Sequence, residues 1–371
     1  MNIVFISNYF NHHQKPLSDE LSKQSNYMFV TTSQISEERL KFGWKIETEP
    51  EYVCHYDSDA QRAETAIADA DVIIAGSAPE KLVQKCIKSN KLVFRYSERP
   101  LKKGLQPLKY LPRLVKWHLR NPLGKKVYML CASAYTAPDY AKFGLFKGKT
   151  FKWGYFPEVK RYDSIEAVID GKNKASILWA GRFLDWKHPD DALRVASVLK
   201  KQGYCFKMNI IGTGEMLDDV QKMISDEKLS DCVNLLGAMK PEEVRWYMEK
   251  SQIYLFTSDR NEGWGAVLNE SMNSGCAVVA CGDIGAVPYL IDDGENGLIY
   301  NFGDTDELCN KVKFLLDNPD IAKKLGENAY NTITEVWNAE AAAKRFLTLA
   351  QNILLGNKLG DLFKEGPCSR A

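Results

Sequence analysis

The sequence predicts a two-domain α/β protein in which each half is built on a parallel sheet with crossover helices. Three observations lead there. The chain has 371 residues, more than one ordinary core holds and enough for two domains of roughly 150–200 residues each. Short apolar, β-branched runs alternate with helical stretches from one end to the other, the pattern of strands joined by crossover helices. A polar, irregular segment over 158–174 interrupts that alternation, and a second series then begins.

In the first series, 2–7 (NIVFIS), 27–31 (YMFVT), 71–75 (DVIIA), 91–96 (KLVFRY) and 127–132 (VYMLCA) read as strands, with candidate helices at 16–23 and 79–89. In the second, 176–180 (SILWA), 206–211 (FKMNII), 232–236 (CVNLL), 252–256 (QIYLF) and 276–280 (CAVVA) read as strands. Helices at 189–202, 215–229, 241–250 and 265–274 fit between them. Further helices around 305–317, 319–330 and 339–355 are rich in Ala, Leu, Lys and Asn. The expected domains are 1–160 and 161–345, followed by a C-terminal helix and tail over 346–371 with the option of returning to the first domain. A cleft between two such domains is the default ligand site.

Hydrophobic residues make up 45% and charged residues 26%, the balance of a globular protein in water. With 49 basic and 48 acidic residues the net charge is +1, so no global field draws the chain to nucleic acid and any basic surface must be local. Nine cysteines lie scattered with no CxxC pair. Reduced core thiols are the simplest reading, and no metal site is expected. The N-terminal "MNIVFISNYF" has no basic leader region, and no apolar run reaches about 18 residues. The expectation is a cytoplasmic protein that can touch the inner face of the membrane without crossing it.

"NEGWGAVLNESMNSGCAVVA", residues 261–280, sets Glu262 and Glu270 eight positions apart beside a glycine-rich turn. "FTSDRNEGWG" follows a strand and "AVLNESMNSGC" is helical in period, with Gly275 positioned as its stop. Gly263 and Gly265 let backbone amides at the helix start approach a ligand, and the helix dipole favours an anion there. If mostly helical, the segment separates the carboxylates by about 12 Å. That exceeds the ~5–9.5 Å of a glycosidase pair but suits two hydroxyl-rich ends of one extended ligand. An acid at a helix start and an exposed helical Glu would also account for these two residues taken alone.

The run E-G-x-G-x-x-x-x-E followed by "SGCAVVACGDIGAVPYLIDDGENGLIY" resembles the donor site of the family 4 retaining glycosyltransferases, also called group 1. "ILWAGRFLDWKHPDDALRVA", "MNIIGTGEMLDDV" and "VNLLGAMKPEEVRWYMEKSQIYLFTS" match further motifs of that family in order. The resemblance is strong over about 175–340 and general before it. It implies the GT-B fold: two Rossmann-like, doubly wound parallel-sheet domains facing a central cleft.

The resemblance implies a role for each matching residue. Arg182 and Lys187 would hold the diphosphate of a nucleotide-sugar, because negative charge builds on the leaving phosphate as the glycosidic bond breaks. An Arg fork and a Lys point charge divide that task on two phosphates. Glu262 would accept hydrogen bonds from donor-sugar hydroxyls and Glu270 would bind the ribose. Amides of Gly263, Trp264 and Gly265 would contact sugar or phosphate, and the Trp264 ring sits where it could pack on a sugar or in the core. Gly181, Gly212 and Gly214 would shape the nucleotide pocket, with Met239 near the base. One departure stands out: Tyr289 follows Pro288 where the family usually has an acid, and no role is assigned to it.

In the first half the loop after the first strand reads "SNYFNHHQKP" without the family's glycines. Asn8, His12 and His13 are candidates for the acceptor or catalytic cleft, with Pro16 opening the next helix. Where relatives carry a later His, "VFRYSERP" offers Glu98, for which a salt bridge with Arg99 competes with a ligand role. Residues 101–126 contain eight Lys/Arg and no acid, interleaved with Leu, Tyr, Trp and Val. They suit anionic lipid or a lipid-diphosphate acceptor, or form a loop whose charge is balanced by neighbours.

The expected activity is transfer of a sugar from a UDP- or GDP-linked donor to a glycan or lipid-linked hydroxyl with retention, in surface polysaccharide or lipid-linked glycan synthesis. The nucleotide-sugar acts as co-substrate, without cofactor or metal. A GT-B epimerase or phosphorylase and an inactive carbohydrate-binding scaffold are the alternatives. An NAD-dependent oxidoreductase is disfavoured because "GTGEML" lacks the third glycine of the fingerprint.

Overall fold

The computed structural model describes residues 1–35, 48–360 and 362–371. It divides into two compact units, Met1–Glu158 with Trp337–Ala371, and Val159–Val336. The first contains strands β1 (Asn2–Ser7), β2 (Asn26–Thr31), β3 (Val53–His55), β4 (Val72–Ala75), β5 (Leu92–Ser97), β6 (Val127–Cys131) and β7 (Thr150–Lys152). They form one parallel sheet in the order β3-β2-β1-β4-β5-β6-β7. The second contains β8 (Asn173–Ala180), β9 (Lys207–Ile211), β10 (Val233–Gly237), β11 (Ser251–Phe256), β12 (Ala277–Cys281) and β13 (Leu298–Tyr300). These are also parallel, in the order β10-β9-β8-β11-β12-β13.

Both sheets are doubly wound, as the alternating pattern predicts. Central strands such as Val72–Ala75 and Ala277–Cys281 are buried at every residue, because crossover helices cover both faces of a parallel sheet. The strand order reverses beside β1 in the first unit and beside β8 in the second. Loops that leave the carboxyl ends of the strands part there and open a crevice.

Three strands escape sequence reading: β3, β7 and β13, each three residues long and each at a sheet edge. Such short pieces carry too little periodicity to register. The segment 158–174 is not irregular throughout. Ser164 caps a helix over Ile165–Asp170, its hydroxyl accepting from the Ala167 amide at 3.1 Å. The basic stretch 101–126 likewise contains a helix, Pro107–Arg120.

The final helix, Ala339–Leu354, lies in the first unit, where Phe346 meets Phe94 at 5.0 Å between ring centroids and Trp153 at 5.8 Å. Beyond it the chain runs along β7. The Lys152 amide donates to the Ser369 carbonyl and the Cys368 amide to the Lys152 carbonyl, both at 2.8 Å, which covers that edge.

Candidate functional site

In the second unit, the residues predicted for donor binding leave neighbouring strands at the carboxyl edge of the sheet. Gly181, Arg182 and Lys187 follow β8, Gly212 and Gly214 follow β9, Met239 follows β10, and Glu262–Gly265 follow β11. Because β8 lies between β9 and β11, segments remote in sequence become neighbours.

Gly212 and Gly214 have a packing reason to be glycine. Their φ values are +145° and +154°. A Cβ on Gly212 would fall 1.8 Å from the Gly181 carbonyl oxygen, and one on Gly214 2.5 Å from that of Phe183. The two loops are laced together: the Gly181 amide donates to the Ile211 carbonyl at 3.0 Å and that of Phe183 to the Thr213 carbonyl at 2.9 Å. Only a residue without a side chain permits this approach.

Arg182 is exposed, and its guanidinium meets no carboxylate within ion-pair distance among the described residues. Lys187, in a single turn over Asp185–Lys187, donates to Glu262 Oε2. Their side chains are 13% and 11% exposed. Ser258 donates to the same carboxylate oxygen at 3.1 Å, so Oε1 remains for a ligand. The turn is fixed from below by Thr257, whose hydroxyl reaches the carbonyls of Lys187 and His188 at 2.8 and 2.9 Å. Thr257 in turn accepts from Trp179 Nε1 at 2.8 Å, and the Asp259 amide donates to the Trp186 carbonyl at 2.9 Å. Sequence reasoning missed Thr257 and Ser258. The signal was the polar run "TSD" at the carboxyl end of an apolar strand.

The helix expected after the glycine turn covers Ala266–Asn273, with Gly265 at φ +84° before it and Gly275 at +67° beyond it. Glu262 therefore lies in the turn, not in the helix, and a helical rise between the two glutamates does not apply. Trp264 is fully buried and its indole N–H donates to Asn269 Oδ1 at 2.8 Å. Its ring belongs to the core, with Tyr289 at 6.3 Å between centroids, and cannot stack on a sugar. Glu270, in the second turn, has its carboxyl pKa raised by burial, against the opposing charge of Arg245.

In the first unit a cavity of about 530 Å³ opens where the loops after β1, β4 and β5 part. Asn8, His13 and Glu98 line it, together with Ser77, Arg99 and Tyr155. His12 lies against His13, the rings tilted by 46° with 3.9 Å between centroids. Burial, aided by His12, lowers the His13 pKa to about 3, so its imidazole is neutral at physiological pH. The expected partner of Glu98 is corrected. Its carboxylate accepts from Tyr155 at 2.6 Å and Lys102 at 2.9 Å, while Arg99 turns to Asp139 at 3.5 Å and lies over the Tyr135 ring.

Residues 163–332 match the family model described as glycosyl transferases group 1. The amylovoran biosynthesis glycosyltransferase AmsK of Erwinia amylovora is 33% identical over 138 residues, covering 36% of this chain and 34% of that protein. The poly(ribitol-phosphate) alpha-N-acetylglucosaminyltransferase of Staphylococcus aureus is 29% identical over 170 residues, covering 45% of this chain and 34% of its own. These alignments span about a third of each relative's length. Among solved structures, Anabaena HepE in complex with UDP superposes with a TM-score of 0.69 at 15% identity, over 96% of this chain and 99% of that one. The fold is GT-B, as the sequence motifs implied.

Proposed function

We propose, on the match of residues 163–332 to the group 1 glycosyl transferases, that the chain moves a sugar from a nucleoside diphosphate to a hydroxyl acceptor with retention. The observation that carries this reading is the gathering of exposed Arg182, the Lys187–Glu262 pair and the start of helix Ala266–Asn273 at one sheet edge. Two cations and a helix dipole there match the charge of a departing diphosphate.

In the proposed reaction the bond between the anomeric carbon and the phosphate oxygen breaks, and its electron pair stays on that oxygen. Arg182 and Lys187 stabilise the charge without a divalent cation. The acceptor oxygen bonds the anomeric carbon from the same face, and its proton passes to the departing phosphate oxygen. Glu262 orients the sugar through Oε1 while Lys187 and Ser258 hold Oε2. Glu270 accepts from the ribose hydroxyls. The cavity of Asn8, His13 and Glu98 takes the acceptor, with His13 serving as a neutral hydrogen-bonding group. The UDP bound by HepE favours a uridine donor. The relatives named for amylovoran and for poly(ribitol-phosphate) favour surface polysaccharide as the product.

The test is a thermal-shift series with UDP-, GDP- and ADP-sugars. A ligand at about 100 times its Kd adds about 2.7 kcal/mol of stability. Arg182→Ala should abolish that shift while leaving the ligand-free transition unchanged, because the side chain is exposed. No shift with any of the three donors would overturn the proposal.

A further inference from the structure

Helix Pro107–Arg120 is turned inside out relative to an ordinary surface helix. At about 100° per residue, Leu108, Leu111, Val115 and Leu119 form one stripe. They are 95%, 67%, 57% and 73% exposed. Leu105 and Leu123, also exposed, carry the stripe past both ends. The opposite face packs inward through its aromatic residues: Tyr110 and Trp117 meet Phe143 at 4.9 and 4.6 Å between centroids.

The element is held in place. Arg95 and Gln84 both donate to the Arg120 carbonyl at 2.8 Å, and Arg95 reaches Asn121 Oδ1 at 2.8 Å. Arg95 is itself clamped by both carboxylate oxygens of Glu80, at 2.7 and 3.0 Å. The outward leucines are therefore displayed on an anchored helix.

The surroundings of the stripe identify its occupant. By the same helical angle, Lys109, Arg113, Lys116 and Arg120 fall along one flank, and Lys102, Lys103, Lys125 and Lys126 stand beyond the ends, with no acid anywhere in 101–126. A protein interface would centre on aromatic anchors, and here those point into the core. Arg120 pairs with Glu80 at 3.6 Å and Lys102 with Glu98 at 2.9 Å, whereas Lys109, Arg113 and Lys116 meet no carboxylate within ion-pair distance among the described residues. Aliphatic tips rimmed on one side by such cations match the boundary between acyl chains and anionic headgroups. The helix has 14 residues, about 21 Å, and cannot span the roughly 30 Å hydrocarbon layer. No helix among the described residues is long and apolar enough to do so.

We propose that helix Pro107–Arg120 is an in-plane membrane-docking element, inserting Leu108, Leu111, Val115 and Leu119 into an anionic bilayer while the flanking cations engage lipid phosphates. The inference does not depend on the sugar-transfer reading, and neither does its test.

The whole protein, without donor, is sedimented with vesicles of phosphatidylcholine alone or mixed with phosphatidylglycerol. Wild type should pellet with the mixed vesicles, less so at high salt, and not with phosphatidylcholine. Leu111→Glu combined with Leu119→Glu should weaken that binding about tenfold or more. Lys109→Glu combined with Lys116→Glu should remove the preference for the anionic lipid. All of these side chains are exposed, so unchanged thermal unfolding would verify that each variant is folded. Wild type staying in the supernatant, or equal pelleting by the double-leucine variant, overturns the proposal. So does a concentration-dependent dimer that the leucine changes dissolve while no vesicle is bound, which would make the stripe an interface between copies.

Discussion

Lys187 and Glu262 are 75 positions apart in the chain, yet the ammonium of one donates to the carboxylate of the other. They meet because Lys187 follows β8, Glu262 follows β11, and these strands are paired in the sheet. Each was expected to hold a different part of one ligand. Their pairing means that each also sets the orientation of the other before any ligand arrives.

Removing one partner leaves a largely buried charge without compensation. Lys187→Met should destabilise the protein by about 3 kcal/mol, while Lys187→Met combined with Glu262→Gln should cost clearly less. Urea denaturation of the four members of the cycle measures the coupling. Additive losses would mean that the pair is not energetically linked.

Gly212→Ala should be much worse than Gly237→Ala. Both positions have positive φ, but a Cβ at 212 falls 1.8 Å from a carbonyl oxygen whereas one at 237 meets nothing within 4 Å. Strained backbone alone costs about 1–2 kcal/mol, and a clash with main chain adds to that. Thermal denaturation of the two variants should separate them clearly; equal losses would refute the packing argument.

The raised Glu270 pKa sets the proposed donor contact against stability. Burial makes the folded state hold this proton more tightly than the unfolded chain does. Ligand-free stability therefore falls as pH rises from the ordinary value of 4.5 through the raised one. Glu270→Gln should stabilise the ligand-free protein at neutral pH and weaken donor binding about tenfold or more, the worth of a charge-assisted hydrogen bond. Melting curves with and without donor read both effects, and a fall in both would point to a purely structural glutamate.

His13 carries the opposite sign. Its folded pKa of about 3 lies below the ordinary 6.5, so the unfolded chain binds the proton more readily. The stability contribution is complete above the ordinary value and is lost as pH falls through the window down to the folded one. Urea midpoints should drop more for wild type than for His13→Asn between about pH 7 and pH 5. Parallel profiles would show that the imidazole is not desolvated in solution.

Much of the protein was legible in the chain before any folding was considered. The β-branched runs announced ten of the strands, because a strand buried on both faces must be apolar throughout. Glycines and polar residues after the runs marked the strand ends that carry the candidate site, since loops at the carboxyl edge are where a parallel sheet offers amides and side chains. Spacing alone could not say that Lys187 would grip Glu262, that Trp264 would turn inward to Asn269, or that Glu98 would choose Lys102 and Tyr155 over its neighbour Arg99. It also could not show which face of the basic helix would be left outside. Those outcomes depend on which strands the crossovers bring together and which surface of each helix meets the sheet. Contacts between distant positions, unlike periodicity, leave no local trace.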